Sequence, residues 1–513
     1  MSTIDAIDHT TTTDAAPAAI TVHDPATGDP IATVPRTTPQ EVVAAVMRAR
    51  AAQPEWEAAG FAGRGEVLRR AQRWLVDHAE ELIDTIVSET GKAREDAQIA
   101  EVAYGAAALG FWARKAPRYL ADEKVRSSNR FLVGKSLRLR HRPVGVVGVI
   151  GPWNFPLTNS FGDCIPALAA GNAVVLKPSE LTPLTSLLLA RMLDEVGLPE
   201  NVFQVVTGDG ATGEALIDEV DFLQFTGSTA TGKKVMARAA QTITPVGLEL
   251  GGKDPMIVLA DADLERAANG ATYYSLLNGG QICISVERIY VEDEIYDAFV
   301  DRVADKVSRL RQGAPGPAGS VDVGAVTSPA QLEVIDAHVQ DAVAKGARVV
   351  TGGHRGDGPG LFYEPTVLAD VDHTMDVMRE ETFGPILPLM RARDAEEALR
   401  LANDSPYGLQ GSVWTRSVAR GRELARRLQV GGASVNDAIL LYTALEVPMG
   451  GVKRSGIGQR HGQAGIRKYT HPQGMLVMPL QLKREINMYP YRPWSTGLLA
   501  RAIRLLNRGR AYR

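Results

Sequence analysis

The chain of 513 residues is long enough to form two or more domains, and its 45% apolar and 23% charged residues are typical of a soluble globular protein. This composition excludes intrinsically disordered and fibrous proteins. The sequence contains two cysteines, Cys164 and Cys283. They cannot supply a disulfide framework or a paired zinc site, so we expect a metal-free protein of a reducing compartment, the cytoplasm.

The net charge of −4 argues against nucleic acid as a partner, although the charge is unevenly distributed. Residues 481–513 carry eight Lys or Arg and one Glu, a local charge of +7, which leaves −11 for residues 1–480. Residues 1–19 lack the basic and apolar regions of an export signal, and we predict a flexible segment there. Glycine, proline or charge interrupts every long apolar stretch, so no transmembrane helix is predicted.

Short strand-like runs alternate with helix-length segments, a pattern that predicts parallel sheets covered by helices on both faces. Thr38, Pro39 and Glu41 predict the start of a first helix, because they provide a cap, a proline at the first helical position and an acidic partner for the cap. Predicted elements that follow are strands at 144–150, 173–176, 202–206 and 222–225, a helix at 183–196, and a second block of the same kind over 255–435.

Two segments at the ends of predicted strands are candidates for nucleotide binding. Gly227 and Ser228 lie in FTGSTATGK, which leaves a strand and opens a helix, so free backbone N–H groups could hold a pyrophosphate. The pattern is not GxGxxG, and an ordinary strand-to-helix connection is the alternative. Lys177 and Glu180 could both reach ribose hydroxyls, whereas an exposed ion pair is the alternative.

Four further segments contain carboxylates or cysteines that could take part in catalysis or in structure. Glu249 lies in LELGG, where burial would raise its pKa and suit it to general-base catalysis; a structural carboxylate is the alternative. Cys283 follows two glycines in NGGQICIS and is a candidate nucleophile. Cys164 lies in an apolar helical stretch and is predicted to be a small buried side chain. Glu381 and Phe383 lie in EETFGP, which a surface turn would explain equally well.

Together these segments resemble the aldehyde dehydrogenase superfamily, and the resemblance runs from about residue 23 to residue 473. Six motifs occur in the family's order and at its approximate spacing: PWNFP at 152–156, LKPSE at 176–180, FTGST at 225–229, LELGG at 248–252, GQICIS at 280–285 and EETFGP at 380–385. Six ordered motifs make chance agreement implausible. The resemblance implies NAD(P)-dependent oxidation of an aldehyde to a free carboxylic acid.

The resemblance assigns catalytic roles to three residues. Cys283, as a thiolate, would attack the aldehyde carbon, and loss of hydride would leave a thioester. Asn154 and the backbone N–H of Cys283 would stabilise the oxyanion. Glu249 would activate the water that hydrolyses the thioester. Because the CoA-acylating branch of the family generally lacks this glutamate, the product should be the free acid.

The resemblance also implies a nicotinamide dinucleotide held by residues from several motifs. Lys177 and Glu180 would hold the adenosine ribose. A carboxylate at Glu180 bonds a free 2′-hydroxyl and repels a 2′-phosphate, so we expect NAD to be preferred, with NADP as the alternative. The other implied cofactor-binding residues are Gly227 and Ser228 at the diphosphate, Glu381 and Phe383 at the nicotinamide ribose and ring, and Trp153. The chemistry requires no metal.

Gly162 bears on the substrate. Succinate-semialdehyde enzymes of the family can carry an arginine at the aligned position, which binds the distal carboxylate. Gly162 cannot do so, and its neighbour Asp163 would repel a carboxylate if it faced the substrate tunnel. We therefore expect an uncharged aliphatic or aromatic aldehyde, with succinic semialdehyde as the alternative.

The implied architecture is an α/β fold with a Rossmann-like cofactor domain, an α/β catalytic domain and a small β element for oligomerisation. Alternating residues at 130–132 and 137–140 fit a projecting hairpin. Residues 467–478 fit a last edge strand that needs a partner, so we expect a homodimer or homotetramer. The predicted regions are a flexible N-terminus (1–19), a dinucleotide-binding domain (20–125 and 144–252), an oligomerisation hairpin and strand (126–143 and 466–480), a catalytic domain (253–465) and a basic amphipathic extension (481–513).

The extension has apolar residues at near-helical spacing between arginines, as in Leu498, Leu499, Arg501 and Arg504. Through 495–513 it could contact an anionic membrane surface weakly, which would make the protein a peripheral membrane protein; packing on the acidic body or a sister subunit is the alternative.

Two other functional classes stay open. The protein could be a thiol esterase that needs no dinucleotide, or an inactive member that serves as a scaffold.

Overall fold

The computed structural model describes residues 19–129, 132, 134–479, 481, 483–485 and 488–507. Within these residues the chain forms an α/β fold with two large, mostly parallel sheets, which confirms the predicted fold class. The predicted flexible segment 1–19 lies, apart from Ala19, outside the described residues. None of the described helices is both long and apolar enough to cross a membrane.

The strands are β1 (Ala19–His23), β2 (Pro30–Pro35), β3 (Glu123–Val125), β4 (Ser136–Pro143), β5 (Val146–Ile150), β6 (Ala173–Lys177), β7 (Phe203–Val205), β8 (Phe222–Thr226), β9 (Val246–Glu249), β10 (Asp254–Val258), β11 (Val286–Glu292), β12 (Arg348–Thr351), β13 (Thr366–Ala369), β14 (Ile386–Ala392), β15 (Gln410–Trp414), β16 (Gly432–Val435), β17 (Gly456–Ile457) and β18 (Thr470–Val477).

The α-helices are α1 (Pro39–Ala58), α2 (Gly60–Asp77), α3 (Ala79–Thr90), α4 (Arg94–Ala97), α5 (Tyr104–Tyr119), α6 (Gly162–Ala170), α7 (Leu184–Glu195), α8 (Gly210–Glu219), α9 (Thr229–Thr242), α10 (Leu264–Leu276), α11 (Tyr296–Val307), α12 (Pro329–Ala344), α13 (Asp376–Arg379), α14 (Ala395–Asn403), α15 (Val418–Ala425), α16 (Gly462–Arg467) and α17 (Pro493–Asn507). The predicted start of α1 is confirmed, because Glu41 N donates to Thr38 Oγ1 at 3.3 Å and Thr38 N donates to Glu41 Oε2 at 2.7 Å.

The first large sheet has the strand order β17-β9-β8-β5-β6-β7, and its pairs are parallel except for β17 with β9. Strands β6 and β8 are buried throughout, as helices on both faces require. The carboxyl ends of β5, β6, β8 and β9 lead into four of the six motifs. Ligands of open parallel sheets bind at this edge, so the motifs are well placed for a site.

The second large sheet has the order β12-β13-β14-β11-β10-β15-β16, with β12 antiparallel to its neighbour. Cys283 and Glu381 lie just before β11 and β14, at the amino edge of this sheet. A hydrogen bond of 3.0 Å from Gly252 N to Glu381 Oε1 joins this edge to the segment after β9. The two remaining motifs therefore meet the first four between the sheets.

A third sheet has the order β18-β4-β3 and is antiparallel. Strand β4 pairs with β3 on one side and with β18 on the other. The predicted hairpin arm at 130–132 includes Arg130 and Phe131, which lie outside the described residues. Arg467 contacts the start of β3, because its guanidinium binds the Glu123 carboxylate and donates to Tyr119 O at 3.0 Å. Strand β18 occupies the sheet edge, and most of its residues are exposed.

Candidate active site

A left-handed turn between α10 and β11 holds Cys283. Asn278, Gly279 and Gly280 have φ angles of 54°, 62° and 73°. At Gly280 a Cβ atom would lie 2.0 Å from the Gly384 carbonyl oxygen, so no side chain fits there. The turn leaves the Cys283 side chain half-buried and its backbone N–H without an acceptor among the described residues.

Two cavities meet at Cys283, and Asn159 also lines both. The first, which we call the carboxylate cavity, has a volume of about 250 Å³ and contains the side chains of Glu249 and Glu381. The second, the aromatic cavity, has a volume of about 100 Å³, and no described residue of its walls is charged. Its walls include Tyr104, Phe155, Tyr273, Ile284, Leu440 and Tyr442.

The carboxylate cavity brings together most of the residues singled out in the sequence. Those that line it are Trp153, Asn154, Gly227, Ser228, Glu249, Cys283, Glu381 and Phe383. Lys177 and Glu180 lie outside its walls, at and just beyond the end of β6.

Glu249 is the last residue of β9, and its side chain is buried. Its Oε2 atom has no hydrogen-bond partner among the described residues. Burial raises the pKa of Glu249 to about 7, while Arg460 and Lys468 oppose the rise. A buried carboxylate with a free oxygen and a near-neutral pKa is suited to accept a proton from water.

Burial also raises the pKa of the Cys283 thiol, to about 12. Arg460 opposes this rise, and the carboxylates of Glu381, Asp254 and Glu249 add to it. The thiol proton must therefore leave before the sulfur can attack a carbonyl carbon. Glu249 lines the same cavity.

Buried polar groups fix Asn154 on two sides. Its Nδ2 donates to Gln281 O at 2.8 Å, which leaves the second amide hydrogen available. The backbone carbonyl oxygen of Asn154 accepts from Lys92 Nζ at 2.8 Å and from Asn278 Nδ2 at 3.1 Å. Lys92 is paired with the buried Glu101 at 2.5 Å. Sequence reasoning missed this ion pair, because neither of its residues belongs to a recognisable motif.

Lys177 and Glu180 differ in exposure. The Lys177 side chain is buried, whereas Glu180 is exposed. Lys177 Nζ lies 3.4 Å from Glu180 Oε2 and donates to Pro178 O at 3.0 Å. Burial lowers the pKa of Lys177, and the Glu180 carboxylate opposes the decrease. The pair therefore presents an exposed carboxylate beside a sequestered cation.

Ser228 caps the 14-residue helix α9, because its side chain accepts from Thr231 N at 3.2 Å. Gly227 precedes the cap, and its N–H donates to Glu249 O at 3.1 Å. The start of α9 thus borders the carboxylate cavity. Helix starts carry unpaired N–H groups and a positive dipole end, which favour phosphate.

Glu381 and Phe383 lie on the loop before β14 and contact the opposite wall. Glu381 Oε1 accepts from Gly252 N at 3.0 Å, and a Cβ atom at Gly251 would lie 2.3 Å from Glu381 Oε2. The rings of Phe383 and Trp153 meet edge to face with their centroids 5.4 Å apart. Glycine at 251 therefore makes room for the carboxylate.

Asp163 does not present a free charge to the aromatic cavity. Arg460 Nε and Nη2 donate to its two carboxylate oxygens at 2.9 and 2.7 Å, and both side chains are 4% exposed. The expected repulsion of a substrate carboxylate by Asp163 therefore does not apply. Sequence reasoning also missed Arg460, since it lies outside all six motifs.

The other cysteine is not part of the site. Cys164 is fully buried in α6, as predicted, and burial raises its thiol pKa well above the usual range. Its Sγ donates to Ser160 O at 3.3 Å. Across the described part of the chain, no group of three or more His, Cys, Asp or Glu side chains could hold a metal ion.

Two mostly parallel sheets with a cysteine and a buried carboxylate at a cavity between them are typical of an enzyme active site. The sequence profile of the aldehyde dehydrogenase family matches residues 12–474, and the chain belongs to this family. It is therefore an NAD(P)-dependent, aldehyde-oxidising enzyme.

Three similar proteins illustrate the range of names within the family. A Mycobacterium ulcerans protein provisionally named succinate-semialdehyde dehydrogenase (NADP+) 2 is 43% identical over 458 residues, 88% of this chain and 87% of that protein. The 4,4′-diapolycopene aldehyde oxidase of a Methylomonas species is 40% identical and covers 89% of this chain and 85% of its own. An aldehyde dehydrogenase of Bacillus cereus, solved in complex with NAD+, is 34% identical with a TM-score of 0.85, covering 90% of this chain and 93% of its own.

Proposed function

We propose that this enzyme oxidises aldehydes to free carboxylic acids through a thioester on Cys283. The position of Cys283 at the junction of the two cavities carries the proposal. An aldehyde can reach the thiol from the aromatic cavity, while the carboxylate cavity receives the cofactor and the water.

The lining of the carboxylate cavity fits a nicotinamide dinucleotide. The start of α9 favours a diphosphate. The space that Gly251 leaves for the Glu381 carboxylate lets this group accept hydrogen bonds from a ribose. The oxidised nicotinamide ring, when bound, supplies the hydride acceptor. The residues that would hold the cofactor are Trp153, Lys177, Glu180, Gly227, Ser228, Glu381 and Phe383.

Three groups of the chain take part in the bond changes. The Cys283 thiol loses its proton to solvent in the carboxylate cavity as its Sγ bonds to the aldehyde carbon. The free N–H of Cys283 and the second amide hydrogen of Asn154 donate to the resulting oxyanion. Loss of hydride from the carbon leaves a thioester. Glu249, in its ionised form, takes a proton from water, and the hydroxide displaces the thiolate, which regains a proton as the acid leaves.

The test is NADH or NADPH formation at 340 nm by purified protein with hexanal, decanal, benzaldehyde and succinic semialdehyde. Activity that Cys283→Ser abolishes supports the proposal. Hydrolysis of an activated ester without any aldehyde oxidation would support the esterase alternative. Inactivity in both assays would support the scaffold.

We propose NAD as the preferred cofactor, because the exposed Glu180 carboxylate suits a free 2′-hydroxyl and repels a 2′-phosphate. The ratio of kcat/KM for NAD to that for NADP should exceed 1 and fall about tenfold in Glu180→Gln, an effect of ~1.4 kcal/mol. A ratio that favours NADP in the unmodified enzyme contradicts this preference.

The uncharged aromatic cavity supports an apolar aliphatic or aromatic aldehyde as substrate. Succinic semialdehyde is the second candidate, since the 43% identical relative carries that name. The ratio of kcat/KM for decanal to that for succinic semialdehyde decides between them. A ratio above 1 supports an apolar aldehyde as substrate, and a ratio below 1 supports an aldehyde that carries a carboxylate.

We propose a cytoplasmic homodimer or dimer of dimers joined through β18, whose exposed edge can accept another strand. Light scattering on the purified enzyme measures this state, and a monomer at micromolar concentration contradicts it.

We also propose weak contact of the C-terminal extension with anionic membranes. In α17, Trp494, Leu498 and Leu505 share one exposed helical stripe, and Arg501 lies on the same side. Residues 508–513 lie outside the described part of the chain. Sedimentation with phosphatidylserine vesicles should exceed that with phosphatidylcholine vesicles, and Trp494→Ser/Leu498→Ser should abolish the difference; equal sedimentation with both vesicles contradicts the contact.

A further inference from the structure

Arg460 and Asp163 form a buried ion pair that the mechanism above does not use. Both charges are removed from water, and desolvation of this kind cancels much of the attraction between two ions. Stability alone therefore explains the pair poorly, and its contacts with the active site matter more.

The remaining donors of the guanidinium hold the wall of the carboxylate cavity. Arg460 donates to Asn159 Oδ1 at 3.1 Å and to the Thr226 hydroxyl. Asn159 lines both cavities, and Thr226 lies opposite Glu249 in the parallel pairing of β8 and β9. Reciprocal backbone hydrogen bonds with Met449, at 2.6 and 2.9 Å, fix Arg460 itself.

We propose that Arg460 and Asp163 are a positioning pair for Glu249. The Arg460 guanidinium holds the cavity wall around Glu249 and favours the ionised form of the Glu249 carboxylate. The Asp163 carboxylate reduces this electrostatic effect of Arg460. This inference deepens the proposed function and rests on Glu249 as the base.

The charges around Glu249 agree with this role. Arg460 and Lys468 lower the pKa of Glu249, and Asp163 raises it. His461 is adjacent but neutral near pH 7, because burial lowers its pKa to about 3. Other titratable groups around the pair and the base have raised pKa values and are also neutral there: Tyr104, Cys164, Cys283, Tyr442 and Tyr469.

A cofactor-free reaction can report the ionisation of Glu249. p-Nitrophenyl acetate acetylates the Cys283 sulfur and releases p-nitrophenol; water then cleaves the thioester, which releases acetate and restores the thiol. The rate of the second step, followed by mass spectrometry of the acetyl-enzyme, should rise with pH as Glu249 ionises.

The two members of the pair should shift this rise in opposite directions. Arg460→Gln removes the cation and should move the midpoint up by about 1 pH unit, and Asp163→Asn leaves the cation uncompensated and should move it down by a similar amount. Arg460→Lys keeps the charge and should keep the midpoint near that of the unmodified enzyme. The double variant removes both charges and should bring the midpoint back.

Slower hydrolysis in both single variants without opposite shifts overturns the inference, since a purely structural pair predicts that result. If thermal melting shows that one single variant does not fold, the sign of the shift in the other decides. Glu249→Gln separates the two proposals. Unchanged thioester hydrolysis in that variant contradicts the role of Glu249 as general base. Loss of hydrolysis in Glu249→Gln, together with unshifted pH midpoints in the Arg460 and Asp163 variants, contradicts only the role of the pair.

Discussion

The two cavities that meet at Cys283 differ in their chemistry. The carboxylate cavity contains Glu249 and Glu381 and has the buried Arg460 behind its wall, whereas no described residue in the walls of the aromatic cavity is charged. Charges act strongly where water is excluded, so the ionic groups on one side can control proton transfer. The apolar surface on the other side can bind an aldehyde without perturbing those protons. Cys283, the proposed nucleophile, lines both cavities.

Removal of the thiol should have the largest effect, because it eliminates the atom at which the cavities meet. Cys283→Ser should reduce aldehyde oxidation on the order of 10⁴-fold. Cys164→Ala is the matched control, since Cys164 is buried in α6 away from both cavities. It should retain kcat/KM in the same 340 nm assay, and equal losses in the two variants would contradict the assignment of the nucleophile.

Replacement of Glu249, the proposed base, should affect the chemistry of the carboxylate cavity and leave the aromatic cavity unchanged. Glu249→Gln should slow turnover by about 10²–10⁴-fold. In the unmodified enzyme thioester hydrolysis should rise with pH through about 7, because burial raises the pKa of Glu249 to that value and the ionised form is the base. Quenched-flow measurement should detect an initial burst of NADH in the variant. Absence of the burst would indicate that Glu249 acts before hydride transfer.

Loss of the amide donor should have a smaller effect. Asn154→Ala should reduce kcat by about 10²–10³-fold, because one of the two donors to the oxyanion is lost. The backbone carbonyl that Lys92 and Asn278 bind remains in this variant, so the surrounding segment should keep its position. Steady-state kinetics check the effect, and a rise in KM alone would argue against oxyanion stabilisation.

A charge at the mouth of the aromatic cavity should have the smallest effect. Leu440 lines this cavity and is 60% exposed, so Leu440→Arg can be accommodated. The ratio of kcat/KM for succinic semialdehyde to that for decanal should rise roughly fivefold, from ~1 kcal/mol of attraction. Leu440→Gln tests size without charge and should leave the ratio unchanged. A similar rise in both variants would show that the mouth selects by size.

The sequence predicts those parts of the site that local motifs contain. Cys283, Glu249 and Asn154 each lie in a short motif beside glycine or proline, and the structure places all three around one cavity. The α/β class and the start of α1 were predictable for the same reason, since helix caps and strand periodicity are local properties.

The sequence does not predict contacts between distant residues. Arg460 and Asp163 are separated by 297 positions, and neither residue type indicates its partner. Arg467, more than 300 positions away, binds Glu123 at the start of β3, a contact that no local motif indicates. The order of strands and the antiparallel edges at β12 and β17 likewise depend on packing between whole elements.

Mass spectrometry of the covalent intermediate tests the central claim most directly. Glu249→Gln incubated with decanal and NAD should gain the mass of one decanoyl group, and peptide mapping should locate the group on Cys283. Cys283→Ser treated in the same way should gain none. An adduct on Cys164, or turnover of the Glu249→Gln protein at the unmodified rate without an adduct, would contradict a cysteine thioester that Glu249 hydrolyses.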